Sequence, residues 1–251
     1  MAAELRMVRM RLDAARLFEL ARRRRLPART DDTGYIVHCQ LKELFGDDAP
    51  APFSLLEGTG RWLTVLAYTR RPANELLEHA RSYADPAAVS GCDLTTLVDK
   101  TMPEWPAGKT LGFEVKACPV VRLSNDVHLP EGTTMTKGAE VDAFLARCWR
   151  TPGVVDREAV YREWLGSEVE RRGGIKLLAS RIVAHSRSGL VRRTHGDERR
   201  SRIADRPDVT FSGEAQVIDG GAFTELLARG IGRHRAFGFG MVLLRPPRRE
   251  C

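Results

Sequence analysis

Strand-like and helix-like segments follow one another along the first half of the chain in an order that few folds accommodate. The opening LRMVRMRL (5–12) alternates, so Val8, Met10 and Leu12 share one face of a strand. The segments after it are two helices over 13–29 and 32–45, two strands within 53–69, a helix over 74–84 and a strand over 111–123. This β-α-β-β-α-β order predicts a ferredoxin-like unit.

The second half of the chain repeats this order less regularly. Its predicted segments are helices over 141–148 and 156–172, a strand near 175–185 with a hairpin turn at 186–189, a basic loop over 192–206, a strand over 208–218, a helix over 219–229 and a last strand over 239–246. We therefore predict an α+β protein of two tandem ferredoxin-like (RRM-like) domains, one over 1–125 and one over 126–251.

Positive charge is segregated along the chain and carried mainly by arginine. The sequence has 40 Lys and Arg against 33 Asp and Glu, and only six of the 40 are lysine. Residues 1–29 carry a net +6 and residues 147–206 a net +7. Such patches favour a polyanionic partner, and the guanidinium fork pairs well with phosphate. The alternative is a solvated surface on an arginine-rich chain.

The cysteines and the hydropathy exclude several classes of protein. The five cysteines stand singly at 39, 92, 118, 148 and 251, with no CxxC pair, which argues against a disulfide framework or a zinc module. No apolar stretch approaches the ~18 residues of a membrane span. We expect a cytoplasmic protein with no membrane association. No carboxylate cluster suggests a two-metal nuclease, so we expect no metal and no cofactor.

The segment GIGRHRAFGFG (230–240) is the most distinctive one in the chain. Its composition and its position, after a helix and before a strand, match neither the dinucleotide-binding fingerprint nor the P-loop. Glycines allow close approach of a phosphate, and the basic side chains supply charge beside them. We predict RNA contacts for Gly230, Gly232, Arg233, His234, Arg235, Gly238 and Gly240. The alternative is a helix cap followed by a glycine-softened strand entry.

GIGRHRAFGFGMVLL (230–244) resembles the C-terminal glycine-rich loop of the CRISPR-associated repeat-processing endoribonucleases of the CasE branch. Four further segments are similar to that family in the same order: TGYIVHCQLKELFG (33–46), LGFEVKACPVVRL (111–123, its end-of-first-domain strand), EWLGSEVERRGGIKLL (163–178) and FSGEAQVIDGGAFTELLARG (211–230). The resemblance implies tandem ferredoxin-like domains that bind a CRISPR repeat hairpin. It also implies one cut at the 3′ base of the hairpin, and retention of the guide RNA within a multisubunit effector complex.

The implied chemistry uses no metal. The ribose 2′-hydroxyl attacks the adjacent phosphorus, leaving a cyclic phosphate and a 5′-hydroxyl. The resemblance assigns catalysis to His38 and Tyr35, which a spacing of three places on one helical face. That face differs from the apolar stripe of Val37, Leu41 and Leu44. The nearby helix N-terminus disfavours an imidazolium and favours an anion, but whether His38 is base or acid stays open.

Two arginine-rich stretches complete the predicted RNA surface. The first is Arg22, Arg23, Arg24 and Arg25, within a stretch (13–29) that the family usually lacks before its Tyr-x-x-His helix. The second comprises Arg192, Arg193, Arg199 and Arg200, which we expect to lie along the duplex stem. Two alternatives stay open: a nuclease whose chemistry relies on the N-terminal arginines, Arg23 among them, and a non-catalytic hairpin-binding subunit. An RRM-like regulator is disfavoured because no strand carries the aromatic signature.

Overall fold

The computed structural model describes residues 4–25, 33–56, 60–129, 132–193 and 201–247. Its two four-stranded antiparallel sheets each have the strand order of a ferredoxin-like unit, which confirms the predicted fold class.

The first sheet takes its strands from the first 101 residues. Its elements are β1 (Arg6–Asp13), α1 (Ala14–Arg23), α2 (Thr33–Phe45), β2 (Phe53–Leu56), β3 (Trp62–Thr69), α3 (Ala73–Tyr83), α4 (Pro86–Ser90) and β4 (Cys92–Thr101). The strands lie in the order β2-β3-β1-β4. Val8, Met10 and Leu12 are all fully buried, as the alternation of the opening segment predicts. They pack with the buried side chains of α1 and α2 in one core.

The arginine-rich stretch after β1 folds as a helix that belongs to this core. Asp13 caps α1 by accepting hydrogen bonds from the backbone N–H groups of Ala15 and Arg16. Leu17 and Ala21 are buried one turn apart, which fixes this helix against α2. The sequence also predicts Asp32 as the N-cap of α2, but Asp32 lies outside the described residues.

The second sheet takes its strands from residues 110–245. Its elements are β5 (Thr110–Ala117), the short strands β6 (Val120–Arg122), β7 (Val127–His128), β8 (Thr134–Met135) and β9 (Glu140–Asp142), the helices α5 (Ala143–Cys148) and α6 (Arg157–Arg172), β10 (Ile175–Arg193), β11 (Ser201–Val217), α7 (Gly220–Arg229) and β12 (Val242–Arg245). The four main strands lie in the order β10-β11-β5-β12.

Strand β5 belongs to the second sheet and not to the first. It pairs with β11 and β12 and opens the second sheet, whereas the sequence predicts that residues 111–123 close the first. The strand that closes the first sheet is β4, which was missed because it lies at an edge and alternates poorly, with only Cys92 and Leu97 buried. We propose that the units divide between Thr101 and Thr110 rather than at residue 125.

Strands β10 and β11 correct the predicted hairpin. They pair along their whole length, from Ile175 opposite Val217 to Arg193 opposite Ser201, with two local register shifts. The Ser-Arg-Ser-Gly segment at 186–189 is therefore mid-strand, and the predicted turn there is wrong. The strands are joined through residues 194–200, outside the described part. The misleading signal was composition, because a two-stranded ribbon that extends beyond its sheet exposes polar residues on both faces.

Candidate active site

The first turn of α2 lies in direct contact with the glycine-rich loop of the second unit. A Cβ placed on Gly34 would be 2.1 Å from the carbonyl oxygen of Phe237, so only glycine allows this approach. On the other side, a Cβ on Gly238 would be 3.3 Å from the Phe53 ring. The N-terminal end of α2 and the loop thus form one continuous surface across the two units.

The loop's glycines are needed for its own packing. Gly230 ends α7 with a positive φ of 69°, and a Cβ there would lie 2.6 Å from the Gly240 carbonyl oxygen. A Cβ on Gly232 would lie 2.8 Å from the Trp164 ring. These close approaches explain why four glycines occur within eleven residues.

The backbone amides of the loop bear on the predicted RNA contacts. The N–H groups of Gly230, Gly238 and Gly240 donate to the carbonyls of Leu226, Arg235 and Lys116. In this conformation they are not directed at a ligand. The geometry therefore assigns these three glycines to the fold of the loop and gives no support to the prediction that their amides bind RNA.

The two predicted catalytic side chains lie at the start of α2, as the helical spacing requires. The rings of Tyr35 and His38 have centroids 6.4 Å apart, and Tyr35 stacks on Phe237 at 5.3 Å with an interplanar angle of 22°. Both side chains are half-buried, whereas Val37, Leu41 and Leu44 are fully buried. The prediction that His38 faces away from the apolar stripe is confirmed.

The environment of His38 favours a neutral imidazole. Burial lowers its pKa from the ordinary value, and the positive charge of Lys42, one turn further along α2, lowers the pKa again. At neutral pH the ring therefore has an open acceptor nitrogen, so it can take a proton from a hydroxyl.

The three basic residues of the loop have different surroundings. Arg233 places Nη1 2.6 Å from Oε1 of Glu140, a carboxylate whose side chain is only 3% exposed. His234 lies between Arg233 and Arg235 in the sequence and points inward, with its side chain 4% exposed. Arg235 is exposed and donates from Nη1 to the carbonyl oxygen of Arg229 at 2.5 Å. Arg233 and His234 thus lie against the buried Glu140, whereas Arg235 presents its charge to solvent.

A cleft of about 320 Å³ opens beside the junction of α2 and the loop. Its walls are Thr33, Gly34, Leu55, Lys116, Ser186, Arg187, Ser188, Asp208, Phe237, Gly238 and Phe239. Two cations line it within ion pairs: Lys116 Nζ is 2.9 Å from Asp208, and Arg187 Nε is 2.6 Å from Asp205. Sequence reasoning missed Lys116, although its outward position in the alternation of β5 was a usable signal.

Of the N-terminal arginines, Arg24 contacts α2 away from the predicted catalytic pair. Arg22 and Arg23 end α1 and are exposed, with Arg23 2.5 Å from Glu19, and Arg25 follows them at the surface. Arg24 is tied to Glu43 and Asp85, each at 3.1 Å. Glu43 follows Tyr35 by eight residues, which is ~12 Å along a helix.

The second arginine group falls on the long ribbon or outside the described part. Arg192 and Arg193 belong to β10, where they pair with Arg202 and Ser201 in β11. Arg199 and Arg200 lie outside the described residues. Across the described ranges no helix is long and apolar enough to cross a bilayer, and no three His, Cys, Asp or Glu side chains there are grouped to hold a metal ion.

Comparison with known proteins agrees with the motifs and the fold. The family model described as CRISPR associated protein matches residues 7–246. A structure of the CRISPR endoribonuclease Cse3 bound to a 19-nucleotide RNA aligns with a TM-score of 0.62 at 20% identity over 97% of this chain and 100% of that one. Thermus thermophilus Cse3 with an RNA representing a pre-cleavage complex aligns at 0.58, with 20% identity and the same coverage. Cas6e from Escherichia coli K-12 aligns at 0.57, with 16% identity over 96% and 100% of the two chains.

No curated protein matches the sequence significantly. At these identities the structural alignments establish the fold, and the family match spans nearly the whole sequence. The chain belongs to the CRISPR associated protein family.

Proposed function

We propose that this protein is a metal-independent endoribonuclease that binds a CRISPR repeat hairpin and cleaves the precursor transcript to give mature guide RNA. The observation that carries the proposal is the contact of α2 with the glycine-rich loop. Tyr35 stacks on Phe237, a wall residue of the cleft, and His38, whose pKa is lowered, lies next to Tyr35. The structural relatives support it, since Cse3 is a CRISPR endoribonuclease solved with RNA.

The reaction needs a base at the 2′-oxygen, a proton for the departing 5′-oxygen and positive charge at the phosphate. His38 accepts the 2′-hydroxyl proton as that oxygen bonds to phosphorus. The bond from phosphorus to the 5′-oxygen then breaks, and the 5′-oxygen takes a proton from water to become a hydroxyl. Tyr35 donates a hydrogen bond to the phosphate, while the exposed guanidinium of Arg235 balances its charge. The product is a 2′,3′-cyclic phosphate.

The proposal extends to the partners of the protein. After cleavage it keeps the hairpin product and takes its place in a multisubunit CRISPR effector complex in the cytoplasm. Related chains occur in a CRISPR RNA-guided surveillance complex, one of them with a TM-score of 0.55 at 18% identity. Arg22, Arg23 and the arginines of β10 are proposed to contact the RNA backbone.

The alternative in which the N-terminal arginines supply the chemistry has less support from the geometry. Arg24 is engaged by two carboxylates toward the C-terminal half of α2, and Arg23 is engaged by Glu19. Neither contact directs a guanidinium toward the Tyr35 and His38 rings. The remaining alternative is a subunit that binds the hairpin without cutting it, and a cleavage experiment distinguishes it from the proposed nuclease.

The experiment compares wild type with His38→Ala on a labelled hairpin repeat from the CRISPR array of the source genome, in EDTA and under single-turnover conditions. We expect wild type to cut once and leave a 3′ end that resists phosphatase until acid opens the ring. His38→Ala should lose cutting by at least ~10²-fold, while its affinity for a 2′-deoxy, uncleavable repeat stays within a few-fold. The matched control is His128→Ala, an exposed histidine on β7, which should cut normally.

Two results would contradict the proposal. Tight binding of intact RNA by wild type would indicate the non-catalytic subunit. Near-normal cutting by His38→Ala would return the chemistry to the arginines.

A further inference from the structure

A buried carboxylate in the second unit lies behind the glycine-rich loop. Glu140 of β9 is almost fully enclosed, and Arg233 at 2.6 Å and Arg122 at 4.0 Å already supply opposite charge. His234 adds a third partner, with Nε2 3.2 Å from Oε2 of Glu140. A histidine is therefore not needed there merely to neutralise the acid.

The backbone of His234 adds to this observation. Its φ of 62° lies in the left-handed region, which is unfavourable for a residue other than glycine. The loop has glycine at four other places, yet it retains a histidine in this conformation. The His234 ring lies inward against Glu140, which Arg233 also contacts, whereas Arg235 is exposed. Because the surrounding contacts hold His234 in this unfavourable backbone conformation, we infer that the position of its ring matters.

The other side of the His234 ring meets Phe237. The two rings have centroids 5.9 Å apart at 69°, an edge-to-face arrangement, and the Phe237 N–H donates to the His234 carbonyl at 2.8 Å. Phe237 in turn stacks on Tyr35. A chain of direct contacts therefore leads from Glu140 through His234 and Phe237 to the phenol.

We propose that Glu140 and His234 are positioning residues that hold Phe237 against Tyr35 and so fix the phenol at the scissile phosphate. This inference rests on the proposed function for its kinetic consequence, but the placement of Tyr35 can be measured without RNA. His234 acts through Phe237, and neither residue needs to touch the reacting atoms.

The first test observes Tyr35 directly. Protein labelled with 3-fluorotyrosine carries four tyrosines, and Tyr35→Phe identifies the Tyr35 signal in the fluorine NMR spectrum. We expect His234→Gly, which suits the positive φ, and Phe237→Leu to shift that signal by more than its linewidth and leave Tyr68 and Tyr161 in place. His128→Asn is the control and should change no tyrosine signal.

The second test is a double-mutant cycle on single-turnover cleavage. Phe237→Leu and His234→Gly should each slow cleavage about tenfold or more, with affinity for the 2′-deoxy repeat within about threefold. In a Tyr35→Phe background the same changes should cost less than about twofold, because the phenol they position is gone. His234→Asn, which tolerates a positive φ and keeps a polar side chain facing Glu140, should recover most of the rate.

An unmoved Tyr35 signal in folded His234→Gly and Phe237→Leu would overturn the inference. So would rate losses that simply multiply with the Tyr35→Phe loss. Should His234→Gly fail to fold, Phe237→Leu carries both tests. A wild type that cuts no repeat RNA would refute the proposed function alone, and the fluorine experiment would still decide the positioning role.

Discussion

Replacing Gly34 by alanine tests whether the contact between α2 and the glycine-rich loop sets the geometry of the site. The new Cβ would lie 2.1 Å from the Phe237 carbonyl oxygen, whereas ordinary contact begins near 3.4 Å. The obstructing atoms belong to the backbone and cannot rotate away, so helix and loop must separate by ~1.3 Å. Because a misplacement of about 1 Å can cost ~10² in rate, we expect single-turnover cleavage to fall about 100-fold, equivalent to ~2.7 kcal/mol of activation free energy.

Global unfolding should not account for this loss. Alanine is favoured over glycine in helices by up to ~1 kcal/mol, which offsets part of the cost of displacing the loop. The matched control is Gly166→Ala in α6, where an added Cβ meets nothing within 4 Å. We expect it to cut like wild type and to melt a few degrees higher, at ~2–4 °C per kcal/mol. A Gly34→Ala protein that is folded and cleaves within threefold of wild type would refute the argument.

Three further predictions use other contacts. Burial and Lys42 both lower the pKa of His38, so if His38 is the base, the cleavage rate should fall on the acid side of the pH profile, below pH 6.5. Lys42→Gln should move this fall in rate toward higher pH. A rate that falls toward alkaline pH instead would make His38 the acid. Tyr68→Phe removes a buried hydrogen bond of 2.9 Å from the phenol to the Val242 carbonyl and should lower the free energy of unfolding by about 1 kcal/mol. Denaturant titration measures this loss, and Tyr83→Phe, at an exposed tyrosine, is the control. Replacing Arg22 and Arg23 together by glutamine should reduce the slope of log Kd for the repeat against log salt by ~1.4–1.8; an unchanged slope would show that these arginines do not contact RNA.

Regular amphipathic patterns predicted their elements well because burial and periodicity coincide there. Helix α7 begins after Asp219, which accepts a hydrogen bond from the Ala222 N–H at 2.8 Å, and ends at Gly230 with positive φ, as its capping residues indicate. The spacing of Phe223, Leu226 and Leu227 predicts an apolar stripe on α7, and all three are buried. The corresponding stripe of α6, with Trp164 and Leu165 at its centre, is also buried. The pattern fails in α3, where the helical spacing of Leu76, Leu77, Ala80 and Tyr83 predicts one buried face but Tyr83 is 80% exposed.

Other features depend on contacts between distant segments and have no local signal. The pairing of β5 with β11 rather than with the first sheet joins residues nearly 100 positions apart. In the same way, the sequence indicates that the loop from 230 to 240 is basic, but not that Glu140 neutralises Arg233 from 93 positions away. The sequence therefore predicts RNA contacts for Arg233, His234 and Arg235 alike, whereas folding gives the three side chains different surroundings.

The candidate site belongs to neither unit alone. His38 and Tyr35 lie on a helix that packs in the first core, while Phe237 and the cleft cation Lys116 belong to the second. A Cβ on Gly230 would be 2.9 Å from Pro52 of the first unit, and the Tyr68 hydroxyl reaches β12, so the loop is held against the first unit from two directions. An isolated first unit would keep its imidazole and phenol but lose the stacked ring and the cleft wall opposite them. The relative placement of the two units is thus itself a requirement for the proposed cleavage, and a change in the seam between them is expected to act on the rate before it acts on the fold of either sheet.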